Sequence, residues 1–410
     1  MRAVFLVFVA LCGTCGLTPA AVLGQAPTAP PPDPALRWHG EVRPRFESRE
    51  PVEGEWSRLI SQRTRLTLEV GLAQEGLRIV LQPQDVRAWG EEPSVRDRSA
   101  DNLVIHQAYL EVEDLPLVRG LLRAGRQEAA LAESRLLASP DWGQGGQSFD
   151  GLRWIRPLGS RRNQRLELLF FQLQEEASPA HDRDAHLLGA WYALETRGAG
   201  SWDIYALRDD GRGTGSHREN ILGGLWKGSR HPFGLRAQGI YQFGKRDGRD
   251  VEAFLLAARA GVALADEALE LVLWYDFLSG DHRPGDDEIR VFSTLFGARH
   301  RYYGRADYFV DIPAQTGGLG LQDLAFKVAW TPRDRLALNL DLHLFLTATA
   351  DPRSRHRLAQ EADGWIRYRA REHLALEAGY SLVQAGPVME GLERLGGTGH
   401  FGYLMTSVTF

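Results

Sequence analysis

Residues 335–346 read RLALNLDLHLFL. In an extended chain Leu336, Leu338, Leu340, Leu342, Leu344 and Leu346 fall on one face, and Ala337, Asn339, Asp341, His343 and Phe345 on the other. A helix, with a period of about 3.6, would scatter these leucines around its axis. The segment therefore reads as a strand with one unbroken apolar face and one mostly polar face. Such a strand fits a sheet with lipid outside and water inside. Residues 65–72 repeat the pattern, with Leu66, Leu68, Val70 and Leu72 facing away from Arg63, Arg65, Thr67 and Glu69, and so do residues 374–382.

Eighteen such segments run from 36–48 to 399–410. An even count is what a single-chain outer-membrane barrel requires. The tight connections 73–75, 159–163, 198–200, 333–334 and 371–372 alternate with the longer 91–102, 131–147, 280–319, 349–359 and 385–398. The predicted fold is all-β: a transmembrane antiparallel barrel of about 18 strands, with short periplasmic turns and long extracellular loops. The last segment, FGYLMTSVTF, puts Gly402, Leu404, Thr406, Val408 and Phe410 on one face. Pairing it with the first strand would leave no edge in lipid. A terminal Phe410 on such a strand is similar to the signal read by the barrel-assembly machinery.

Residues 1–26 combine Arg2, an apolar run from Ala3 to Leu11 and small residues, which reads as a signal peptide. A Pro-rich linker follows over 27–35, and the barrel domain over 36–410. Both cysteines, Cys12 and Cys15, lie in the signal, so no disulfide is expected to hold the mature chain. The net charge of −5 gives no basis for a nucleic-acid partner. Lys227, Lys245 and Lys327 are the only lysines among 48 basic residues. A GC-rich genome is enough to produce that bias; bidentate pairing of arginine with carboxylates is a second source.

The stretch 125–154, GRQEAALAESRLLASPDWGQGGQSFDGLRW, carries a Gly-Arg-Gln strand (Gly125, Arg126, Gln127), an Arg135-Leu136 pair, Asp141-Trp142 and Phe149-Asp150-Gly151. It resembles the alginate export family of outer-membrane porins. Segments 84–90, 106–113, 273–281 and 295–309 are similar too, so the likeness extends over nearly all of the mature chain. It implies an eighteen-stranded barrel in the bacterial outer membrane, whose Arg-lined lumen passes alginate or a similar polyuronate. The alternative is a general or mildly anion-selective diffusion porin for small solutes. The family further implies lipopolysaccharide neighbours and periplasmic export partners.

A pore needs a lining rather than a nucleophile. Alternation points Arg43, Arg45, Glu47, Arg63, Arg65, Asp363, Trp365, Arg367 and Arg369 inward, and the family-like cluster adds Arg126, Asp150 and Arg153. Arg87 and Asp85 join them only if Pro83 marks a bulge that shifts the register. Two readings stay open: the arginines pair with acids and knit the wall, or several stand free to guide a polyanion. Asp150, Asp276 and Asp341 are expected to hold arginine side chains. Trp38, Trp191, Trp226, Trp330, Tyr380 and Tyr403 are candidates for interfacial girdles, while Trp274 and Trp365 point inward. No cofactor or metal is expected. GTGHFG (397–402) precedes a strand rather than a helix and fails the dinucleotide context. DHRPGDDE (281–288) reads as a solvated acidic loop before a Ca²⁺ site. The assignable outward faces carry leucine and valine, which argues against an enzyme working on lipid.

Overall fold

The computed structural model describes residues 35–52, 55–72, 75–91, 102–115, 118–159, 163–174, 184–196, 198–212 and 215–410. The expected signal peptide and residues 27–34 of the expected linker lie outside these. Eighteen long strands form one antiparallel sheet: β1 (Ala35–Val52), β2 (Glu55–Leu72), β3 (Leu77–Ala88), β4 (Leu103–Leu115), β5 (Val118–Gln127), β6 (Phe149–Leu158), β7 (Gln164–Gln174), β8 (Ala185–Thr196), β9 (Gly200–Gly211), β10 (His217–Arg230), β11 (Phe233–Arg246), β12 (Arg249–Leu264), β13 (Leu269–Leu278), β15 (Leu321–Arg333), β16 (Leu336–Leu346), β17 (Arg357–Arg371), β18 (Leu374–Ala385) and β19 (Thr398–Thr409). Between β13 and β15, the two-residue β14 (Glu288–Ile289) runs parallel to β12.

β1 pairs with both β2 and β19, so the sheet closes. The seam runs to the last residue: Gly40 donates its N–H to the Phe410 carbonyl at 2.8 Å, and Phe410 donates back at 3.0 Å. A Cβ on Gly40 would stand 2.4 Å from the Phe410 ring, so only glycine lets that ring lie there. Closure satisfies the ladder at every strand, which a bilayer demands because it supplies no water.

The outward positions follow the alternation. Leu222, Leu256, Leu273, Leu340, Leu342 and Leu404 are exposed on the outer face. The inner face divides by height. Toward one end it is apolar, with Phe171, Leu187, Leu207, Ile221, Leu255 and Phe345. This departs from a uniformly wet lumen, and the cause is the two longest connections, 128–148 and 279–320. They fold into the barrel and cover that half. Leu131, Leu136, Leu137, Phe292, Tyr302, Tyr303, Phe309 and Ile312 join the inner-wall residues in one apolar cluster. Each fully buried side chain of this size contributes roughly 1.5–3 kcal/mol. The two loops also bind each other, through a Leu137–Phe296 bridge and Ala298 N–H donating to the Ser134 carbonyl at 2.8 Å.

Candidate functional site

Below the loops the inner wall is charged, and several cations sit directly opposite one another across strands. Arg43 of β1 faces Arg63 of β2. Lys227 of β10 faces Arg236 of β11, which faces Arg259 of β12. Arg123 of β5 faces Arg153 of β6. Like charges in register repel, so each group needs an anion. The structure supplies one to each, twice from the 128–148 loop.

Asp141 caps the first group. It accepts from Arg43 Nη1 at 3.0 Å and Arg63 Nη2 at 2.6 Å, and lies 3.9 Å from Arg65 Nη1. The arginines have further acceptors: Arg43 donates to Gln144, Arg63 to Glu41 and Arg65 to Gln84. Arg45 pairs with Glu47 at 2.6 Å, donates to the Trp142 carbonyl and stacks over the Trp142 ring at 4.4 Å.

Glu133 serves the second group. Its Oε1 lies 2.7 Å from Arg236 Nη1 and 3.9 Å from Lys227 Nζ, and its Oε2 lies 3.2 Å from Arg259 Nη1. Burial alone would raise this carboxyl. Arg259, Arg236 and Lys227 outweigh burial and hold it down at about 2. Arg259 also stacks 3.4 Å over Trp274. The third group is balanced within the wall: Arg123 pairs with Glu111 at 2.5 Å and Arg153 with Glu167 at 2.6 Å.

The wall of β13 and β15–β18 is acidic, and the loops return cations to it. Arg135 of the first loop donates to Asp276 at 2.7 Å. Arg305 of the second lies 3.4 Å from Glu377, donates to the Tyr403 hydroxyl at 2.8 Å and stacks 4.2 Å from Trp365. Ala306 N–H donates to Glu361 at 2.8 Å. On the wall itself Lys327 pairs with Asp341 at 2.6 Å, and His343 Nδ1 lies 2.8 Å from Asp323. The loops thus give carboxylates to the basic walls and guanidinium groups to the acidic one.

Among the residues expected to line the lumen, Arg43, Arg45, Glu47, Arg63, Arg65, Arg153, Asp363 and Trp365 face inward. Arg367 and Arg369 share the inward parity of Trp365 on β17 and show no ion pair among the described residues. Arg126 and Asp150 do not join them. Arg123 faces in, so Arg126, three positions on, faces out, opposite Asp150 and paired with it at 2.7 Å. Arg87 also lies outside. A bulge does occur at Pro83, but the extra residue is His106 of β4, and the β2–β3 register runs on unshifted. Arg87 and its partner Asp85 therefore stand beside Gln62 and Thr64, on the face opposite Arg63 and Arg65. Trp191 and Tyr403 correct the girdle expectation. Both point inward, Trp191 donating to Asp203 at 3.1 Å and Tyr403 to Glu377 at 2.7 Å. Trp38, Trp330 and Tyr380 are exposed outward, and Trp226 packs beside outward Trp202. Of the three acids expected to hold arginines, Asp276 and Asp150 do, while Asp341 holds a lysine. In the 281–288 loop Arg290 pairs with Asp281, Asp286 and Glu288.

The sequence reading missed Arg78, Arg123, Lys227, Arg236, Arg259 and Glu133. Counting by twos from Leu235 and Tyr241 marks Arg236 as inward; no periodicity marks Glu133, which is brought in by a loop.

The alginate export family matches residues 36–391. The chain belongs to the alginate export family. No curated protein matches its sequence. The fold of this family member is similar to that of Pseudomonas aeruginosa OpdO, at a TM-score of 0.65 and 12% identity over 92% of this chain and 97% of that one. Acinetobacter baumannii OccAB1 gives a TM-score of 0.64 at 11% identity, over 92% and 96% of the two chains. The outer membrane protein OpdK of P. aeruginosa, solved alone and with vanillate, gives 0.61 at 12% identity, over 92% and 98%. Family and fold together make the chain an integral outer-membrane β-barrel of the channel type.

Proposed function

We propose that this barrel is a selective outer-membrane channel for an anionic saccharide, with alginate or a similar polyuronate as cargo. One observation carries the reading: cations sit opposite one another on neighbouring strands, at Arg43–Arg63 and Lys227–Arg236–Arg259, inside a lumen narrowed by two loops. Guanidinium forks match carboxylates bidentately. Paired acids beside them keep any single site from holding a polyanion too tightly, which conduction requires. The turns 231–232, 265–268, 334–335 and 372–373 lie at the end assigned to the periplasm, and the loop-bearing end to the outside. Phe410 at the seam is the residue offered to the assembly machinery.

Passage of small carboxylates is a second reading. It is favoured by the close packing of both loops across the lumen. Reversal potentials across planar bilayers under a KCl gradient, with polyuronate added to one side, test both. Anion preference with polyuronate block that weakens as salt rises supports the cargo reading. Anion preference with no polyuronate block supports small carboxylates. Cation preference, or no preference, overturns both.

A further inference from the structure

We infer that Glu133 is a built-in stand-in for the cargo: it occupies a carboxylate subsite formed by Lys227, Arg236 and Arg259, and an incoming saccharide carboxylate displaces it. This rests on the function proposed above and adds where on the wall cargo is held and what must leave first.

Three observations converge. The subsite belongs to the wall, since its cations stand in one row across consecutive strands, whereas the anion filling it comes from a separate element. The carboxylate meets the row as a ligand would, one oxygen toward Arg236 and Lys227 and the other toward Arg259.

The backbone that delivers it is strained. Ala132, Glu133 and Ser134 have φ of 43°, 65° and 67°, three successive non-glycine residues in the left-handed region. That turn is held from outside, by the Tyr302 hydroxyl donating to the Glu133 carbonyl, Ala298 N–H to Ser134 and Gln238 to the Ala132 carbonyl. Arg301 is exposed and acts electrostatically on Glu133, which adds a fourth cation to the site.

The test compares wild type, Glu133→Ala, Glu133→Gln, Arg236→Ala and the Glu133→Ala/Arg236→Ala double variant, each accepted only if it shows heat-modifiable barrel mobility. The probes are sodium glucuronate and a defined oligoglucuronate, read as half-blocking concentration and reversal potential. Both Glu133 variants are expected to lower the half-blocking concentration about tenfold and move the reversal potential toward anions. The double variant is expected to lose that gain. Folded Glu133 variants that block no more tightly than wild type overturn the inference. A wild type without anion preference overturns the proposed function; if Glu133→Ala then gains glucuronate block, the stand-in survives it.

Discussion

Asp141 and Glu133 belong to the same connection, and each closes a group of cations, yet the two ends of the loop work differently. The Asp141 side chain is 70% exposed and sits on arginines that are 1–11% exposed. Those arginines have further acceptors in Glu41, Gln144 and Gln84, so Asp141 is one of several anchors there. The Glu133 side chain is only 11% exposed, and its turn is strained. One contact is a seam that knits loop to wall. The other is a filled site. The sequence left open whether the arginines brace the barrel or meet a polyanion, and the two ends of this loop are where that question can be put to each wall separately.

The largest expected effect is at the seam's centre. Arg63→Ala empties a fully buried site, takes Glu41's partner and leaves Asp141 on Arg43 and Arg65 alone, and is expected to cost roughly 3–5 kcal/mol. Folded-barrel yield and protease cleavage within 128–148 read it. If yield and cleavage match wild type, the seam does not hold the loop. Trp142→Ala removes the stack on His300, at 4.0 Å, together with the platform under Arg45. It is expected to loosen both loops at once, by about 3 kcal/mol, seen as matched gains in cleavage of 128–148 and 279–320. Asp141→Asn is expected to cost about 1 kcal/mol or less, because the carboxylate is exposed. A loss as large as that of Arg63→Ala would erase the contrast drawn here.

The smallest effect concerns pH. The Glu133 carboxyl is lowered from 4.5 to about 2, so its tie contributes fully above 4.5 and fades as pH falls through about 2. Selectivity owed to Glu133 is expected to stay constant from pH 7 to 4.5. A change centred near pH 4.5 that vanishes in Glu133→Gln would show the carboxyl to be unshifted.

The outer wall was legible in the sequence because lipid asks one thing of every outward residue. Leu336 to Leu346 and Leu66 to Leu72 meet that demand at each second position, so strand existence and count followed. The inner wall answers to several masters. Phe171, Leu187 and Phe345 face loops, Arg153 faces Glu167, and Arg43 faces a loop carboxylate. No period of two encodes what a loop brings in. Arg126 and Asp150 were misplaced because a motif was read as a unit; counted from Arg123, both fall on the lipid side. Trp191 and Tyr403 show that aromatic type alone does not choose a face. Arg87 hung on which strand carries the bulge, and pairing rather than sequence decides that.

The Gly40–Phe410 exchange ties the end of β19 to the first strand. The ladders from β1–β2 to β17–β18 can zip without β19; β18–β19 and the closing β1–β19 cannot. Loss of Phe410 would leave the N–H and C=O of Gly40 without their ladder partner. The closing contact is therefore a test of its own: with Phe410 removed, the barrel is expected to show weaker heat resistance and new protease cleavage at the β1–β19 seam.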